Sequence, residues 1–131
     1  MDQSLFVREG ETFVPTASAG GPWSPSHLHG GSPTGLLALL MEQATVDTGL
    51  RLSRLTVDLL RPVPAAPLSA EISVVRAGRR LRILQGSLLA DGVEVCRASG
   101  LFLEQAGAEV PAFGRFETGG LEPRGDRPVM T

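Results

Sequence analysis

Apolar and polar positions change their spacing several times along the chain, and each change marks an element. Leu5–Arg8 and Thr12–Thr16 flank a turn signal at Glu9-Gly10, which predicts a short hairpin over residues 4–18. Residues 19–31, AGGPWSPSHLHGG, have no period and gather Gly, Pro and His, so they predict irregular structure. A helix follows. Ser32 suits the N-cap, Pro33 the first helical position, and Gly49 the stop. Leu36, Leu37, Leu39, Leu40 and Met41 cover most of its circumference. A helix that is apolar nearly all round is a buried helix. At about 16 residues it is roughly 24 Å long, too short to span a bilayer, so protein must wrap it.

The period then drops to two. In Ser53–Leu60, the residues Leu55, Val57 and Leu59 alternate with Arg54, Thr56 and Asp58, and Arg61-Pro62-Val63-Pro64 ends the strand. Leu68, Ala70, Ile72 and Val74 alternate with Ser69, Glu71 and Ser73, and Gly78 marks a turn. Residues 80–90 form another strand, Asp91-Gly92 is a two-residue hairpin signal, and Val93–Glu104 returns. Hairpin, buried helix and antiparallel meander together imply an α+β domain over residues 1–104, an antiparallel sheet wrapped around one long buried helix. One such layer leaves a flank of helix and a strand edge uncovered, which invites a second copy. Residues 105–131 lose the pattern and read as a Pro/Gly-rich tail or linker, mostly unstructured.

Composition narrows the chemistry. All 12 cations are Arg, so no Lys is present for a Schiff base or a P-loop, and no Asn for N-glycosylation. The net charge of −2 with no basic block argues against nucleic acid as a partner. No apolar run reaches membrane-span length, and the acidic, mixed start MDQSLFVREGE is not a signal peptide. We therefore expect a cytoplasmic protein. The one Cys, Cys96, makes no internal disulfide, and the only His residues, His27 and His29, have no nearby carboxylate or Cys for a metal site.

Three segments carry a family likeness: GGPW at 20–23 with HGG at 29–31 before the helix, LTVDLLRPVP at 55–64, and the meander LSAEISVVRAGRRLRILQGSLLADGVEVCRASGLFL at 68–103. They resemble the hotdog fold of the acyl-CoA thioesterase superfamily, and within it the N-terminal hotdog unit of the TesB-like enzymes. The resemblance covers about residues 5–104. It implies a hotdog domain that hydrolyses an acyl-CoA or acyl-carrier thioester at a dimer-interface site. It requires no cofactor beyond the coenzyme A that is part of the substrate. A homodimer, a dimer of dimers or a second hotdog subunit would complete the site. The alternative is a non-catalytic unit that binds acyl thioesters or partners a catalytic hotdog subunit.

Thioester hydrolysis needs a polarised carbonyl, an activated water and a groove for the substrate. Backbone amides at a helix start can polarise the carbonyl, which makes Gly31, with Gly30 beside it, the candidate oxyanion donor. The base is less plain. Family enzymes with HGG carry an acid nine residues after the His, and Ala38 stands there; the positions matched to the two-unit enzymes' Thr and Gln hold Leu52 and Gly100. Glu42, one turn beyond Ala38 on the same face, is the candidate base, where burial would raise its pKa; ion pairing or simple exposure is the other reading. His29 is a candidate to bond substrate, or else to cap its own loop. Trp23 either lines an acyl channel or plugs the helix end. Asp58 faces a dimer groove or pairs with an Arg. Arg79 and Arg80, with Arg76 and Arg82 around the Gly78 turn, suit coenzyme A phosphates or simply decorate a hairpin. Cys96, mid-strand with no His beside it, reads as packing.

Overall fold

The structure is a computed structural model, and it describes residues 4–105 and Gly107. The elements run β1 (Phe6–Glu9), β2 (Thr12–Pro15), a 3-10 turn at Ala17–Ala19, α1 (Gly31–Ala44), a second 3-10 turn at Val46–Thr48, β3 (Arg51–Leu59), β4 (Leu68–Ala77), β5 (Leu81–Ala90) and β6 (Val93–Leu103). The six strands form one antiparallel sheet in the order β1-β2-β4-β5-β6-β3. β4, β5 and β6 are the expected meander. The turn between β5 and β6 takes Asp91 at φ 49° and Gly92 at φ 75°, the two left-handed residues of a type I′ turn, which is why Asp-Gly stands there. The tail reading for residues 105–131 falls almost wholly outside the described residues.

α1 lies across the sheet. Leu36, Leu37 and Met41 pack onto Leu68, Leu84, Leu88, Ala98 and Phe102 in a single apolar core. The helix can sit close because Gly86 and Gly100 present no side chain beneath it: a Cβ on Gly86 would lie 3.0 Å from Met41 Cε, and one on Gly100 2.7 Å from Met41 Sδ. The opposite face is less covered than the pattern implies. Leu39 is 50% exposed, because a single sheet wraps only one side.

Both ends of the helix differ from the pattern. It begins at Gly31 with Gly30 as N-cap, so Ser32 is inside the first turn and fully buried. It ends at Ala44, where the buried Thr45 turns its hydroxyl back to the Met41 carbonyl at 3.1 Å. Gly49 terminates the following 3-10 turn, with φ 70°, rather than α1 itself. β3 is the last strand of the sheet, and its outer edge pairs with no described strand.

Candidate functional site

The start of α1 is built by His29. Its neutral ring can accept a proton at one nitrogen only, and the geometry selects which. Ser32 Oγ lies 2.9 Å from the Ala19 carbonyl, which can only accept, so the serine proton goes there. His29 Nε2, 2.9 Å from the same Oγ, must then carry the hydrogen. Nδ1 is left bare and accepts the Gly31 N–H at 3.2 Å. This tautomer rules out a Ser–His nucleophile: His29 donates to Ser32 and takes no proton from it.

The other helix-start donors are also engaged. Ser32 N–H donates to the His29 carbonyl at 3.1 Å, Pro33 has none, and Thr34 donates to the Gly30 carbonyl through both N–H and hydroxyl. One amide is left over. Gly30 N–H has no hydrogen-bond partner among the described residues. Gly30 also lines a cavity of about 230 Å³ with Leu28, Leu59, Arg61, Pro62 and Val63. So Gly30 holds the free donor, and Gly31, expected as the main one, holds a donor that His29 already occupies. Gly31 itself is exposed, so a ligand can compete for it.

The remaining candidates do not gather at this point within one chain. Glu42 is exposed rather than buried in the apolar helix, and it lines a cavity with Thr45, Leu50, Arg51, Leu52 and Phe102. Eleven residues of helix separate it from Gly31, roughly 16 Å. Arg79 and Arg80 lie at the same far end. Arg82 pairs in register with Phe102, whereas Leu88, Cys96 and Leu59 align near the helix start, roughly 20 Å away along the strands. Arg80 reaches Glu104 at 3.6 Å with both side chains largely in solvent. Arg82 Nε is buried with no hydrogen-bond partner among the described residues. Trp23 is 84% exposed, so it neither plugs the helix end nor lines an enclosed channel in the single chain. His27 is exposed and bonds Ser24 and Ser26. Among the described residues no His, Cys, Asp and Glu group could hold a metal ion.

Asp58 and Arg97 face each other across β3 and β6, but they form no salt bridge. Arg97 instead binds Glu94, which also accepts from the Ser87 hydroxyl at 2.7 Å. The Ser87 hydrogen bond, and after it Arg97, hold the Glu94 carboxyl below its ordinary value. Cys96 is fully buried. Desolvation first, then the charges of Asp58 and Glu94, push its thiol up to about 11 from 9.0, so it is no nucleophile at neutral pH. The folded state therefore keeps a proton that the unfolded chain releases above about pH 9. We expect stability to fall as pH rises from there to about 11 and Cys96→Ala to flatten that limb, read as denaturation midpoints between pH 8 and 11. Equal slopes in both proteins would count against it.

Comparison with known proteins assigns the family. Residues 19–103 match the family model described as the acyl-CoA thioesterase N-terminal domain. The chain belongs to that family. Solved structures share its hotdog fold. The BH2602 protein of Bacillus halodurans, solved with CoA, is 22% identical over 70% of this chain, with a TM-score of 0.63, and the chain spans 64% of its length. A hypothetical thioesterase of Streptococcus pneumoniae, solved with coenzyme A, is 18% identical over 70% of this chain and 73% of its own, also at 0.63. The E. coli PaaI protein, from the phenylacetic acid degradation operon, is 23% identical over 72% of this chain and 70% of its own, at 0.63. No curated protein matches by sequence. The family is one of thioester hydrolases, and Gly30 and Gly31 lie within the matched residues. No helix among the described residues is long and apolar enough to cross a membrane.

Proposed function

We propose that this chain hydrolyses acyl thioesters of coenzyme A or of an acyl carrier, as a homodimer or dimer of dimers whose sites are each shared between two copies. The observation that carries the reading is a Gly30 N–H with no partner among the described residues, on a residue that lines a cavity. A thioester oxygen there receives one free amide, and a second from Gly31 once His29 gives it up. The base and the phosphate contacts are expected from the other copy. If two β3 edges pair antiparallel about a two-fold axis, the Leu59 end of one strand meets the Arg51 end of the other. That brings Glu42, Arg79 and Arg80 of one copy toward the Gly30 end of its neighbour. Glu42 then activates water while Arg79 and Arg80 meet the coenzyme's phosphates. Asp58, exposed on the edge strand, borders the same seam. The family's N-terminal-domain description fits a TesB-like unit completed by another hotdog unit.

Complementation tests this. Gly30→Pro and Glu42→Ala are each expected to lower hydrolysis of an acyl-CoA panel by at least about a hundredfold. Mixed after unfolding and refolding together, they should recover roughly a quarter of wild-type activity, because half of the dimers are mixed and each of those has one intact site. No recovery from two folded variants would reject the shared site. The second reading, a non-catalytic acyl-thioester binder or partner of a catalytic subunit, is favoured by Ala38, Leu52 and Gly100 at the family's catalytic positions. Wild-type protein that is stabilised by acyl-CoA without turning it over would support it.

A further inference from the structure

The imidazole of His29 is held at both nitrogens, and the two bonds open together. Nδ1 accepts the Gly31 N–H at 3.2 Å, and Nε2 donates to Ser32 Oγ at 2.9 Å. The ring is rigid, so swinging it off Gly31 also pulls Nε2 from the serine. Ser32 gives that tether a fixed anchor. It is fully buried in the first turn of α1, and its hydroxyl donates to the carbonyl of Ala19, 13 residues earlier, at 2.9 Å. Gly31 lets the ring come this close: a Cβ there would lie 3.0 Å from His29 Cε1 and 3.1 Å from Nδ1. The ring therefore occupies the amide that a thioester oxygen would use as its second donor.

We propose that Ser32 is a positioning residue of the thioester site, setting how readily His29 releases the Gly31 amide. The assignment rests on the thioester reading for the oxygen that takes the amide over. Ser32 touches no substrate and acts through the imidazole. With the tether intact, an oxygen arriving at Gly31 displaces a ring that must also give up Ser32. Without the tether only the Gly31 bond is broken, and the freed ring nitrogens bond to water. Part of the carbonyl's binding energy thus goes into opening the latch. That loss is the same in the ground state and the transition state, so the tether weakens substrate binding and leaves the chemical step alone. Its benefit is structural, because it keeps a cap on the first amide of α1.

Ser32→Ala removes the tether and orphans no acceptor, because the Ala19 carbonyl keeps the His29 N–H at 3.3 Å. His29→Asn breaks the tether from the other side. Its side-chain oxygen can still take the Gly31 N–H, but it is too short to reach Ser32. Each variant should melt roughly 4–8 °C lower than wild type. Two unreactive probes that differ by one oxygen, measured by calorimetry on the full chain, read the site. One is the ketone analogue of acetyl-CoA with methylene in place of sulfur, and the other is the same molecule with its carbonyl reduced to methylene. The preference for the ketone should rise roughly three- to tenfold in both variants. In Ser32→Ala without ligand, the Gly31 amide should exchange its hydrogen for deuterium faster by a similar factor. KM for acyl-CoA should fall alongside, with kcat changed less than about twofold. Damage to the fold raises KM or lowers kcat and does not mimic a tighter site. A ketone preference that fails to rise in folded Ser32→Ala overturns the assignment even if acyl-CoA is hydrolysed. If Ser32→Ala does not fold, His29→Asn decides in the same way. Faster exchange and a raised preference in a protein that hydrolyses nothing keep the tether and sink the catalytic reading.

Discussion

Gly30→Pro should lower kcat for acyl-CoA hydrolysis by about 10²–10³, while Gly30→Ala lowers it by less than about tenfold. Proline differs from alanine by its ring, which takes the place of the amide hydrogen. Both substitutions add a Cβ, which would come 2.9 Å from Leu59 Cδ1. Leu59 is 52% exposed on the edge strand, so the end of its side chain can move aside in either variant. Both also tolerate the backbone, since Gly30 has φ −60° and ψ −24°, within reach of alanine and near the fixed φ of proline. What differs is the N–H that proline lacks, and it is the amide that no described residue uses. Removing it therefore costs the fold no hydrogen bond. Its loss is felt only when a ligand oxygen sits there. Steady-state kinetics on both variants, with melting curves to compare their folds, measure the difference. Equal activities would show that the Gly30 amide does not touch the reacting carbonyl.

Much of this was legible from the residues, and the failures have physical causes. Period-two alternation located β3 to β6 within a few residues, because a sheet with one buried face imposes that spacing. The helix start was misplaced because the pattern Ser32-Pro33 matches a hydroxyl N-cap, whereas the cap is made by a side chain earlier in the loop: His29 Nδ1 takes the Gly31 amide. No periodicity carries that information. Glu42 is exposed, and it lies further from the helix start than a face shared with Ala38 implies. Facing the same side as Ala38 is a statement about angle, and the roughly 16 Å of rise back to Gly31 was available from the numbering alone. Taking the rise together with the angle points to two chains from the outset. Asp58 had an Arg directly across the ladder, as expected, but Arg97 bonds Glu94 on its own strand, a choice that register alone does not reveal. Trp23 illustrates the limit of composition: a large apolar residue beside Pro22 invites burial, yet it stands 84% exposed in the single chain.

Gly86→Val should lower stability by about 2–3 kcal/mol, or roughly 10–20 °C in melting temperature for a domain of this size. Propensity predicts the opposite sign. Valine is a better strand residue than glycine, and Gly86 lies mid-β5, so an open position would gain from the change. The position is closed. A first carbon on Gly86 would lie 2.8 Å from Ile72 Cδ1, 3.0 Å from Met41 Cε and 3.1 Å from Leu37 Cδ2, three side chains converging from the neighbouring strand and the helix above. Met41 and Leu37 are fully buried and have nowhere to retreat without lifting α1 from the sheet. The double variant Gly86→Val with Met41→Ala separates this account from a backbone effect. Met41→Ala alone should cost about 2–5 kcal/mol through the cavity it leaves. Valine at 86 should then occupy part of that space, so the pair should cost at least 1 kcal/mol less than the sum of the single changes. Strict additivity in chemical denaturation would mean that the glycine is needed for its backbone alone. The same closeness bears on the site, because α1 carries Gly30 and Gly31 at one end and Glu42 near the other. A helix raised at Met41 tilts both ends, so Gly86→Val should impair catalysis further than its population of unfolded chain accounts for.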